Sequence, residues 1–178
     1  MHSIKTMRAE LITIAKDRKL TILMDTLILT GLYFSVIFSH LLPVPLYKLE
    51  PMKLFLLITV IHSSRGNALV MAASIPLMST LVSGHPVFPK NLIIGVELMV
   101  FAAVLTTKSF QHYGKSLNFV LALLVSKLAY YSIKALIIKL GLLHVSLFST
   151  SFQSQMQGAL IVFTLFWILS TTQQKRSE

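Results

Sequence analysis

The sequence predicts an all-α integral membrane protein of six transmembrane helices with a basic amphipathic helix at its N-terminus, and three observations carry that prediction. The 178-residue chain is 54% hydrophobic and only 12% charged, against roughly 25% charged in a soluble domain. Its mean hydropathy is +0.75. Its apolar runs approach or reach the ~20 residues needed to cross about 30 Å of hydrocarbon, and its charges gather near the ends of those runs. The length leaves room for one domain, divided into a basic cytoplasmic segment over 1–20, a transmembrane body over 21–172 and a cytoplasmic tail over 173–178.

Residues 1–20 hold Lys5, Arg8, Lys16, Arg18 and Lys19, with apolar positions 4, 7, 11 and 14 at helical spacing. That pattern predicts a short helix lying on an anionic leaflet; a loosely ordered tail is the alternative. Charge alternates with apolar residues here, so no cleavable signal peptide is expected. The first span covers 21–42, with Asp25 near its start and Gly31, Ser35 and Ser39 recurring every fourth residue. Small side chains on one face allow another helix to approach closely. Pro43 and Pro45 end the span and open a short loop to Pro51.

Residues 52–62 are apolar but too short to span alone. With the run after Arg65 they form a short tilted helix followed by a full one, in preference to a re-entrant pair. The full one, 68–84, has no ionisable side chain and one internal proline, Pro76. In a bilayer the Ser74 or Ser79 hydroxyl is expected to satisfy the carbonyl that Pro76 frees. The run breaks at Gly84-His85-Pro86, with Pro89 beyond. Span 92–107 contains Glu97; a basic loop over 108–115 precedes a long helix over 116–140 that carries Lys127 and Lys134. A serine-rich connection over 141–155 leads to a last span over 156–172.

With both termini cytoplasmic, ten basic residues lie inside (Lys5, Arg8, Lys16, Arg18, Lys19, Arg65, Lys108, Lys115, Lys175 and Arg176) against four outside (Lys48, Lys53, Lys90 and Lys139). The positive-inside rule supports that orientation. It also accounts for the net charge of +10 without nucleic acid as a partner; the expected surroundings are membrane lipids.

Ionisable groups inside spans are expensive, which makes Glu97, Lys127 and Lys134 functional candidates. Lys127, Tyr130, Tyr131 and Lys134 share one helical face by their spacing. Two cations and two phenols suit an anionic or aromatic small molecule. Equally, Glu97 could brace Lys127 across two helices while Lys134 snorkels outward. His85, Phe88, Lys90 and Asn91 lie in or beside the outer turn and could cap a pocket, or form an ordinary proline-stiffened turn. Gln153, Gln155 and Gln157 could reach the same pocket or sit at the interface.

The absence of cysteine excludes disulfides and thiolate metal sites. The six histidines are scattered, with no two at i, i+3 or i+4. His85 is the best placed to ligate a metal-containing substrate such as a tetrapyrrole. No HExxH, GxSxG or phosphate-cradling Gly-rich loop is present, so catalysis is not expected and no cofactor is called for.

The order of features in RGNALVMAASIPLMSTLVSGHPVFPKNLIIGVELMVF, residues 65–101, resembles the substrate-binding S components of energy-coupling factor (ECF) transporters. In that family a glycine-bearing stretch leads to a helix ending in a proline and a small-residue patch. G-x-P-x-x-P follows, then a helix with an E-L pair, here Glu97-Leu98. Lys127 with Tyr130 and Tyr131 is similar to the lysine and aromatics on the fifth helix of several members. The resemblance implies an S-component-like six-helix bundle that binds a vitamin or similar micronutrient with high affinity, in an outward-opening pocket formed by the last three helices. It also implies partners: a transmembrane coupling subunit and two cytoplasmic ATPase subunits of an ABC importer. Members commonly dock the coupling subunit through an alanine-xxx-alanine pair on the first helix. Gly31 and Ser35 stand there in this chain, with Ser39 extending the row and Ala68 and Ala72 offering a second small pair. Two other readings stay open. One is a membrane scaffold resembling the small rod-shape-determining subunit of cell-wall machinery. The other is a small self-sufficient transporter that uses Glu97 for proton coupling.

Overall fold

The computed structural model describes residues 19, 22–23, 25–27, 30–31, 50–107, 114–148 and 151–177. Apart from Lys19, the predicted N-terminal amphipathic helix lies outside the described residues, as do Ser35, Ser39, Lys48 and residues 108–113 of the predicted basic loop. Among the described residues the secondary structure is helical, with no strand: α1 (Pro51–His62), α2 (Arg65–Ser83), α3 (Lys90–Thr106), α4 (Lys115–Lys139) and α5 (Phe152–Ser177). The described residues of the first predicted span, 22–23, 25–27 and 30–31, are helical.

Local chemistry sets the ends. Pro51 opens α1, where its missing N–H and fixed φ are harmless. Ser63 then takes an extended backbone, and the Ser64 hydroxyl accepts the Asn67 N–H at 3.3 Å to start α2. Asn67 in turn donates from its side chain to both oxygens of Asp25, at 3.0 and 2.8 Å, and so ties the first predicted span to this end. Gly84, at φ 71°, stops α2 in the left-handed conformation that favours glycine.

Among the described residues three helices are long and apolar enough to cross a membrane: α2, α4 and residues 152–169 of α5. That is compatible with a membrane protein. α1 is apolar but, at 12 residues, only about 18 Å long. α3 packs between α2 and α4; α1 lies against α2 and α3, and α5 meets α1 and α4. The core runs along this seam through Leu56, Leu57, Ala72, Ile75, Leu98, Phe101 and Val162. Towards the Ser64 end Phe119 anchors an aromatic knot, stacked on Phe166 at 4.4 Å and edge-on to Phe101 at 5.7 Å. Large apolar side chains such as Val70, Leu81, Leu128 and Leu160 face outward, an arrangement that hydrocarbon, not water, stabilises.

Four sequence expectations are corrected. α5 begins at Phe152 inside the predicted serine-rich connection, because the Ser151 hydroxyl accepts the Ser154 N–H at 3.3 Å, and it continues through the predicted tail to Ser177. The Ala72 carbonyl that Pro76 frees is not met by either serine: Ser74 donates to the Val70 carbonyl and Ser79 to the His85 carbonyl, each at 2.8 Å. Lys53, placed in an outer loop by the charge count, is buried inside the bundle. Lys134, expected to snorkel if not ligand-bound, is buried as well.

The packing makes a direct prediction. Ala72 has no exposed surface while Val70, one helical face away, is 61% exposed. Ala72→Leu should therefore destabilise the protein by about 1–3 kcal/mol through overpacking, and Val70→Leu should leave it unchanged, as read from thermal unfolding midpoints in detergent.

Candidate functional site: a buried charge quartet and the face beside it

α3 and α4 carry Glu97 and Lys127 at their middles, and the start of α1 brings Glu50 and Lys53 to the same level. The four side chains close a ring. Lys53 Nζ lies 2.7 Å from Glu50 Oε2 and 2.7 Å from Glu97 Oε1; Lys127 Nζ lies 3.0 Å from Glu97 Oε1 and 3.3 Å from Glu50 Oε1. Two cations and two anions make the ring neutral. Neutrality is what permits burial, because an isolated ion taken from water loses several kcal/mol of solvation. The ring is uneven: the Lys53 and Glu97 side chains are 4% and 6% exposed, those of Lys127 and Glu50 28% and 19%.

Glu50 is the unusual member. It precedes α1 with φ 48° and ψ 53°, a left-handed conformation that costs a non-glycine residue on the order of 1 kcal/mol. Its side chain makes no cap to the helix and turns instead to the two lysines. Two ammonium groups, Lys53 at 2.7 Å and Lys127 at 3.3 Å, face its carboxyl and favour the charged form.

From Lys127 a row of polar and aromatic groups climbs α4 towards the Gly84 end. The Tyr130 ring centroid is 5.6 Å from Lys127 Nζ and 5.9 Å from Lys134 Nζ, so one ring faces both ammonium groups. Tyr131 stands edge-on to Tyr130 at 5.2 Å and donates its hydroxyl to Gln155 Oε1 at 2.8 Å. Lys134 is 1% exposed and donates to the Leu147 carbonyl at 2.6 Å, while Phe148 packs 5.2 Å from Tyr131. The segment after α4 therefore folds back over this face.

The turn between α2 and α3 forms the neighbouring rim. Ser79 and Ser83 both donate to the His85 carbonyl, at 2.8 and 3.0 Å, and Thr80 donates to the Pro86 carbonyl at 2.8 Å. The His85–Pro86 and Phe88–Pro89 peptides are cis. His85, Phe88 and Lys90 are exposed. Asn91 is buried, with its Oδ1 accepting the Leu92 N–H at 2.8 Å. Gln153 and Gln157 are exposed on the first turns of α5, and it is Gln155 that meets the α4 row. Ala68 and Ala72 are wholly buried, so that small-residue pair packs inside the chain. Gly31 faces Phe55: a Cβ there would lie 2.8 Å from the ring. Among the described residues no group of three or more His, Asp or Glu is placed to hold a metal ion.

Glu50 and Lys53 were not singled out from the sequence, yet they left a signal. Glu97 is the only acidic residue between positions 51 and 177, too few for the two lysines that face it. An opposite-charge pair at i, i+3 flanking Pro51 was the available complement.

Removing one member should be worse than removing two. Lys53→Met leaves Glu50 and Glu97 to share Lys127 and should cost about 3–5 kcal/mol. Lys53→Met combined with Glu97→Met restores charge balance and should recover much of that loss, as measured by thermal midpoints of the single and double variants.

Comparison of the chain with protein-family models, with curated proteins and with solved structures finds no match.

Proposed function

We propose that this chain is the substrate-binding membrane subunit, or S component, of an ECF-type ABC importer. In this reading it spans the membrane six times with both termini cytoplasmic and the Gly84 end outside. It captures a vitamin or related micronutrient there and releases it inward with a transmembrane coupling subunit and two cytoplasmic ATPase subunits. One observation carries the reading: a cationic and aromatic row, Lys134, Tyr130, Tyr131 and Lys127, climbs from a neutral ionic floor to the Gly84 end. Lys90 enters α3 at that end, within electrostatic reach of Lys134. Such a row suits a flat ligand bearing a carboxylate or phosphate: the ammonium groups meet the anion and the phenols meet the ring. Glu97 serves as the brace that holds Lys127, not as a ligand contact.

A scaffold without a ligand is the second reading, and the closed ion quartet favours it. A scaffold needs its intramembrane charges paired, and Glu50, Lys53, Glu97 and Lys127 are paired. A self-sufficient proton-coupled transporter fits less well, since protonating Glu97 would strip its counter-charge from two ammonium groups at once.

The test is to purify the chain from its native host in mild detergent, denature it and search for a released small molecule by mass spectrometry. An importer subunit retains its ligand and co-purifies with ATPases; a scaffold yields neither. Lys134→Met should reduce the retained ligand about tenfold, the loss expected for one charge-assisted hydrogen bond, and unchanged retention would remove Lys134 from the site.

A further inference from the structure

We propose that Lys53 and Lys127 form an anion-binding site whose resident anion is the Glu50 carboxylate, and that the carboxylate or phosphate of a small-molecule ligand takes the place of Glu50. The inference rests on the α4 face as the ligand-binding face, but not on any coupling partner.

The quartet has a buried half and a more exposed half. The Lys53 and Glu97 side chains are 4% and 6% exposed. Lys127 and Glu50 meet at 3.3 Å with side chains 28% and 19% exposed, and Glu50 also lies 2.7 Å from Lys53 Nζ. Glu50 is also the one non-glycine residue among those described whose backbone sits at positive φ, so its departure relaxes a strained conformation while the other three members stay on regular helix.

The approach to Lys127 is arranged for an anion. Along α4 from the Gly84 end stand Lys134 and then the Tyr130 ring, which lies within 6 Å of both ammonium groups. The sequence holds no aspartate or glutamate from 98 to 177, so neither α4 nor α5 up to Ser177 carries a competing acid. The only carboxylates such a ligand encounters are those of the quartet itself.

The exchange conserves charge. Glu50 turns away from both lysines, the incoming anion bridges them in its place, and the buried group stays neutral. A neutral analogue cannot make this exchange, because expelling Glu50 without a substitute leaves an excess positive charge buried. Glu50 thus acts as a built-in competitor that discriminates by charge.

Chemical rescue tests this. In Glu50→Gly the strain is removed along with the charge, leaving room for an added carboxylate. The purified variant should unfold several degrees lower than wild type in sodium chloride and regain most of that loss in sodium acetate of equal ionic strength, with saturation. Wild type should respond equally to the two salts, and Glu50→Gly combined with Lys127→Gln should show no acetate effect. Benzoate, followed by tyrosine fluorescence, should bind Glu50→Gly about tenfold more tightly than wild type. If Glu50→Gly does not fold, Glu50→Gln carries the same missing charge and the same readouts. Equal behaviour of the variant in chloride and acetate, or an acetate gain shared by the double variant, overturns the proposal. Failed rescue alongside a natively retained ligand would remove the exchange and leave the importer reading. Rescue without retained ligand or ATPases would do the reverse.

Discussion

A charge cannot be left alone in hydrocarbon, and most of this architecture follows from where one charge stands. Lys127 sits at the middle of a 25-residue helix long enough to cross a membrane, equally far from both of its ends. Glu97 on α3 answers it. That carboxylate is also held by Lys53, so a second acid is required for neutrality. Glu50 supplies it, and only if the chain reaches mid-height before α1 starts. α1, opened by Pro51, accordingly runs from the quartet to the Ser64 end of the bundle.

The quartet also divides the molecule by chemistry. Towards the Ser64 end, α3, α4 and α5 are joined by Phe101, Phe119 and Phe166 in dry aromatic packing. On the other side, the same α4 presents Tyr130, Tyr131 and Lys134 to a polar segment that folds back on it. One continuous helix thus carries a structural half and a polar half, with the ionic ring as the boundary.

Much of this was legible in the chain. The long apolar helices, the break at Gly84 and the shared face of Lys127, Tyr130, Tyr131 and Lys134 follow from composition and the 3.6-residue period, and the α3–α4 brace was one of two alternatives for Glu97. The missing half of the quartet was harder. Glu50 and Lys53 flank a proline in a stretch whose local signals are those of a loop, and nothing local shows that the stretch lies at mid-height. Burial of Lys53 is a tertiary fact, fixed by the position of Glu97 some forty residues away. The start of α5 was misplaced for a similar reason: serines read as a polar linker until Ser151 is seen accepting a helix N–H. Outward snorkelling was one of two readings of Lys134, because a lysine stem usually allows it. A backbone carbonyl at Leu147, supplied by a segment without regular structure, keeps it inside.

The three hydroxyls at the end of α2 have a mechanical consequence. Ser79, Thr80 and Ser83 fasten two successive carbonyls of the following turn to the helix that precedes it, so the turn is braced at its root against α2. The strip over 140–148 is tied to α4 by backbone bonds at its start, by Lys134 at the Leu147 carbonyl and by Phe148 against Tyr131. Of the two connections, the turn after α2 is the one whose shape the preceding helix dictates.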